Sequence, residues 1–104
     1  MDTGYEVDGM TLTIRVPKEL DHHLAEKVRR EAEAIMEGRL IKHIIFDFKN
    51  TDFMDSSGIG VIIGRCRAMH LYGGKVDVCN VGERIQRILK VSGLEQIVGI
   101  VEEN

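Results

Sequence analysis

Apolar and polar residues alternate in two short runs near the start of the chain, Tyr5-Glu6-Val7 and Leu12-Thr13-Ile14-Arg15-Val16. A period of two is the mark of half-buried strands. Asp8-Gly9 between them is a hairpin turn signal. Pro17 closes the second strand, because it has no amide hydrogen to give to a sheet. From Leu24 the period lengthens: Leu24, Val28, Ala32 and Ile35 recur every three or four residues among charged side chains. This predicts an amphipathic helix with Asp21 as its N-cap and Gly38 as its stop. Ile44-Ile45-Phe46-Asp47-Phe48 is apolar almost throughout, as a central strand buried on both faces should be.

A second helix is predicted from about Ser56, with Ile59, Ile62, Ile63, Cys66 and Met69 on one face and Gly73-Gly74 at its end. Residues 75–79 alternate again as a strand. A third helix places Val81, Ile85, Ile88 and Leu89 on one side and stops at Ser92-Gly93. Residues 97–101 either add a last short strand or cover the sheet edge. The order β-β-α-β-α-β-α, with that optional closing strand, predicts an α/β fold. Its mixed sheet should hold about four to five strands, with helices packed on it.

No repeat, low-complexity tract or linker interrupts the pattern, so residues 1–104 are expected to form a single domain. Apolar residues at 43% and charged residues at 30% exclude a disordered chain. With three Phe, two Tyr and no Trp, the core must be mainly aliphatic. Fourteen Lys and Arg against 17 Asp and Glu leave a net charge of -3, which does not suit a nucleic-acid partner. The first ten residues lack the basic start and apolar stretch of a signal peptide, and no apolar run reaches the roughly 18 residues a membrane span needs. Cys66 and Cys79 form no C-x-x-C pair. A cytoplasmic protein with no membrane partner is expected.

The segment with most chemical content is Asn50-Thr51-Asp52-Phe53-Met54-Asp55-Ser56-Ser57-Gly58-Ile59-Gly60, between the central strand and the second helix. Two hydroxyls there follow an acid and precede a helical period. The plainest role for one of them is helix N-cap, its oxygen accepting an amide hydrogen bond. Three sharper roles compete. A nucleophile elbow would need glycine two residues before the serine, where Met54 or Asp55 stands, and no spacing ties His22, His23, His43 or His70 to either serine. A phosphate cradle from Gly58, Gly60 and Gly64 has its last glycine one residue late and follows its strand too distantly, so these glycines are expected to serve close helix packing instead. Lastly, a hydroxyl can be a substrate: a phosphate at a helix start meets free amides and the positive end of the helix dipole, yet changes the surface charge by about -1.5 to -2.

Other features carry less. His22-His23 has no further ligands at metal spacing. Cys66 falls on an apolar helix face and reads as core. Pairs such as Glu26-Arg30 on the first helix add a few tenths of a kcal/mol at most.

Phe53-Met54-Asp55-Ser56-Ser57-Gly58-Ile59-Gly60-Val61-Ile62-Ile63-Gly64-Arg65 resembles the signature of the STAS-domain anti-sigma factor antagonists. Glu19-Leu20-Asp21-His22-His23, Gly73-Gly74-Lys75 and Val91-Ser92-Gly93-Leu94 match further stretches, and the combination is most similar to the sporulation branch of that family. The resemblance covers nearly the whole chain and implies the STAS fold. It also implies a regulatory protein without an active site, cofactor or metal. In that scheme the unphosphorylated protein binds an anti-sigma factor serine kinase and releases the sigma factor. Phosphorylation of Ser56 ends the binding, and a metal-dependent serine phosphatase restores it. Position by position, Ser56 is the implied phosphoacceptor, with Asp21, His22, Asp55, Ser57, Gly58 and Ile59 as the docking surface of a monomer. Two alternatives stand beside this scheme: a nucleotide-binding STAS-like module, or a STAS subunit of a stress-signalling scaffold. Pro17-Lys18 stands where relatives commonly carry Gly, and a last helix beyond Val101 is expected to be short or missing.

Overall fold

The computed structural model describes residues 4–101. The first strand, β1 (Gly4–Asp8), turns back into β2 (Thr11–Arg15), with Asp8 opposite Thr11 in an antiparallel ladder. The turn residues are therefore Gly9 and Met10, one position later than the sequence signal. Gly9 takes a φ of 62°, a left-handed conformation that lets a two-residue hairpin follow the strand twist. After Pro17 come a two-residue strand, β3 (Glu19–Leu20), and the first helix, α1 (His22–Glu37), with Asp21 and Gly38 as its caps, as expected.

The central strand β4 (His43–Asp47) leads to a second two-residue strand, β5 (Phe53–Met54), and then to α2 (Ser56–Leu71). Next are β6 (Lys75–Cys79), α3 (Glu83–Ser92), a short 3₁₀ turn at Leu94–Gln96 and the closing strand β7 (Gly99–Val101). The main sheet has five strands in the order β1-β2-β4-β6-β7, antiparallel at the first pair and parallel elsewhere. It is the mixed sheet the pattern predicts, and residues 99–101 extend it. The expectation of a short or missing helix beyond Val101 lies outside the described residues.

Alternation decides which face the helices cover. The rows Leu12-Ile44-Val76 and Ile14-Phe46-Val78 run across three paired strands and are almost wholly buried. They share one core with Ala25, Val28 and Ala32 of α1, Val61, Ile62 and Met69 of α2, and Ile85 and Leu89 of α3. The intervening row, Thr13-Ile45-Asp77, faces the other way. There Asp77 accepts a 2.6 Å hydrogen bond from His43 Nε2. On α2, Val61 is buried although the periodic face omitted it, while Ile59, Ile63 and Cys66 are only half-buried. Val81 precedes α3 rather than riding on it.

Two small features were not foreseen: β3 and β5. They pair with each other in parallel, apart from the main sheet. This ribbon sits where the chain leaves the carboxyl ends of β2 and β4, and it sets the positions of both long helices.

Candidate functional site

The ribbon aligns Glu19 with Phe53 and Leu20 with Met54, so the next residues, Asp21 and Asp55, stand at equivalent places, each capping the helix that follows it. A carboxylate suits that position because a first turn leaves amides unpaired at the positive end of the helix dipole. Asp21 Oδ1 accepts the Leu24 amide at 3.0 Å. Asp55 Oδ1 accepts the amides of Ser57 at 2.9 Å and of Gly58 at 3.2 Å.

The capping role that the sequence offered to a serine hydroxyl thus belongs to Asp55. A carboxylate one residue earlier satisfies two amides at once, which no hydroxyl at Ser56 or Ser57 does here. This also revises the expectation that a phosphate would meet free amides: two are taken, and their partner is already anionic. The same occupancy works against a phosphate cradle on this turn. Of its three glycines, only Gly58 is close-packed: a Cβ there would stand 2.7 Å from the Leu20 carbonyl oxygen. At Gly60 and Gly64 a Cβ would meet nothing within 4 Å, so close packing does not account for them.

Freed from capping, the two serines differ. Ser56 is the first residue of α2, is exposed, and its hydroxyl has no hydrogen-bond partner among the described residues. Ser57 is half-buried, and its Oγ lies 3.2 Å from His22 Nδ1, a hydrogen bond between the starts of α1 and α2. Sequence spacing tied no histidine to either serine; the ribbon does, by bringing residues 22 and 57 together. An activated serine would also need a group orienting the imidazole, and no side chain hydrogen-bonds the other His22 nitrogen among the described residues.

The serines also face different grooves. Ser57 lies with His22, Glu26, Arg29 and Gly60 between α1 and α2. Ser56 lies with Phe53, Ile59, Arg87, Ile88 and Val91 in an open, mostly apolar groove between the start of α2 and α3. Within it Phe53 is 48% and Val91 83% exposed, a concentration of uncovered apolar surface beside the free hydroxyl. Ile59, one of the docking residues that the resemblance implies, lines this groove. The sequence analysis did not place Phe53, Arg87, Ile88 or Val91 at the site. One signal was available: Val91 is an apolar residue on a charged helix, outside the stripe of Ile85 and Leu89.

At the rim of the α1–α2 groove, the hydrogen bond from Arg29 holds the Glu26 carboxyl below its ordinary pKa. Arg65 crosses between the helices to Glu33 at 3.0 Å. Farther along α2, burial pushes the Cys66 thiol up, away from the reactive thiolate. Among the described residues no group of three or more His, Cys, Asp or Glu could hold a metal ion, and no helix is long and apolar enough to cross a membrane.

Comparison with known proteins places this geometry. A STAS domain model matches residues 4–103. The anti-sigma F factor antagonist of Paenibacillus polymyxa is 41% identical over 91 residues, covering 88% of this chain and 78% of that protein. The anti-sigma factor antagonist SpoIIAA in its unphosphorylated form superposes with a TM-score of 0.87 at 28% identity, over 98% of this chain and 88% of the other. The phosphorylated form of the Bacillus cell fate determinant SpoIIAA gives a TM-score of 0.78 at 32% identity, over 98% and 91%.

Proposed function

This chain belongs to the STAS domain family, and from that membership we propose that it is an anti-sigma factor antagonist switched off by phosphorylation of Ser56. The unmodified protein binds an anti-sigma factor that is a serine kinase, and by occupying it releases the sigma factor. The kinase transfers phosphate from ATP to Ser56, the complex separates, and a metal-dependent serine phosphatase resets the protein. The chain works as a cytoplasmic monomer, a single domain with no catalytic centre of its own, in a sporulation-type pathway.

The observation that carries this reading is the setting of Ser56. Its hydroxyl is exposed, unpartnered and beside an open apolar groove, so a docked kinase can reach it without unfolding anything. The groove residues Phe53, Ile59, Ile88 and Val91 supply apolar contact area, and Arg87 a charge at its edge. Asp21 uses Oδ1 to cap α1, and Oδ2 has no hydrogen bond among the described residues, so it can receive a basic side chain of the kinase.

The off-switch follows from charge. Phosphorylation adds about -1.5 to -2 at neutral pH. Asp55, its neighbour in the chain, already answers the dipole of α2, so the new charge meets a carboxylate and finds the amides of Ser57 and Gly58 taken. Burying it against a partner would cost both desolvation and like-charge repulsion, while the fold beneath, held by the aliphatic core, is untouched. Titration of Ser56→Ala and Ser56→Asp against the anti-sigma kinase tests this. Ser56→Ala should bind persistently, and Ser56→Asp at least ~10-fold more weakly with an unchanged melting temperature, about the effect of one lost charge-sensitive contact. Equal affinities would contradict the docking role of the loop.

A further inference from the structure

Two adjacent hydroxyls, both at the start of one helix, are offered to one kinase, and the geometry assigns the choice between them to His22: we infer that its imidazole holds Ser57 out of the transfer reaction. This inference rests on the reading of Ser56 as phosphoacceptor. Successive helical residues point about 100° apart around the axis. Ser56 accordingly lies in the groove toward α3 and Ser57 in the groove between α1 and α2. A side chain at the second position could still rotate between staggered wells, exposing its oxygen to an incoming phosphate. The 3.2 Å hydrogen bond to His22 Nδ1 biases the Ser57 rotamer toward α1.

The lock is built by a side-chain cap on one side and by backbone contacts on the other. Asp21 caps α1 and so sets where His22, the first helical residue, projects. Leu20 accepts the Asp55 amide at 3.3 Å, and Gly58 packs against the same Leu20 carbonyl, which fixes how far α2 lies from α1. His22 is therefore a positioning residue: it touches the hydroxyl that is not used and acts on the site choice through it.

Transfer to either serine has the same balance: the hydroxyl oxygen bonds the γ-phosphorus of ATP, the bond to ADP breaks, and the hydroxyl proton is lost to a base. An imidazole within reach of Ser57 could instead serve as that base, which would favour Ser57, and the experiment separates the two. In a Ser56→Ala background Ser57 is the remaining serine of the loop, and the Thr51 hydroxyl is buried against the Val16 carbonyl. The rate of phosphate incorporation at Ser57, from peptide mapping after incubation with the kinase and Mg-ATP, is compared with and without His22→Ala. The lock predicts a rise of roughly 2- to 10-fold, the factor one neutral hydrogen bond is worth, and a partial return with His22→Gln, which can bond again. In parallel, the His22 imidazole nitrogen resonances of the wild type should move on Ser57→Ala. An unchanged or slower Ser57 rate, or resonances that ignore Ser57→Ala, overturns the lock. Wild-type protein that takes no phosphate on Ser56 overturns the acceptor reading beneath it instead.

Discussion

Gly58 lies so close to Leu20 that any side chain there would have its Cβ 2.7 Å from the Leu20 carbonyl oxygen and 2.9 Å from its Cγ. That contact joins the start of α2 to the strand that precedes α1, so one small residue sets the distance between the two capped helix ends. Because the obstructing atoms include backbone, the clash cannot be relieved by a rotamer change. Gly58→Ala should therefore destabilise the protein by about 1–3 kcal/mol, the range for overpacking. Gly60→Ala, with open space at the Cβ, should be neutral or stabilising by up to about 1 kcal/mol. Urea unfolding of both variants checks the contrast, and equal effects would show that the Leu20 contact does not constrain the turn.

Asp55→Ala removes the acceptor of two amides and should cost about 0.5–2 kcal/mol, the usual loss for an N-cap. Ser57→Ala removes no cap and should change stability by less than about 0.5 kcal/mol beyond its bond to His22. Thermal unfolding of the pair distinguishes a carboxylate cap from the serine cap that the sequence offered.

Val91 is exposed and Phe53 half-exposed, so polar replacements there leave the core intact. Val91→Asp and Phe53→Ser should melt within a few degrees of wild type yet bind the anti-sigma kinase about 10-fold or more weakly, as losses at an apolar contact patch do. Unchanged affinity in both, by calorimetric titration, would move the docking surface away from this groove.

Burial raises the pKa of the Cys66 thiol, so the folded state favours the protonated form. The sign follows: its contribution to stability is present below the unfolded thiol pKa and lost as pH rises through the folded one. Alkylation of Cys66 by iodoacetamide at pH 8 should be slower in the native protein than in urea, and Cys66→Ala should lose less stability than wild type on going to alkaline pH. Equal alkylation rates would contradict the burial.

Much of this fold was legible in the order of residues because its helices and main strands carry a period. Leu12 and Ile14, Ile44 and Phe46, and Val76 and Val78 alternate in the sequence and bury in the structure. Asp21 before a helical stripe was readable as a cap for the same local reason. β3 and β5 were not readable: two residues make no period, and their pairing joins positions more than thirty apart in the chain. Most of what was unread at the start of α2 descends from that one non-local contact. It brings His22 to Ser57, and it leaves Asp55 rather than a serine at the cap. The groove needs α3 as well: Ile88 reads in the sequence as part of the core stripe and is in fact half-buried at its edge, while Val91 stands outside the stripe.

The central claim concerns Ser56, and the most direct measurement is intact mass followed by peptide mapping of wild-type protein after incubation with the anti-sigma kinase of the proposed pathway and Mg-ATP. The account predicts one added phosphate, carried by Ser56. Phosphate carried by Ser57, or none at all on folded protein with an active kinase, would contradict it.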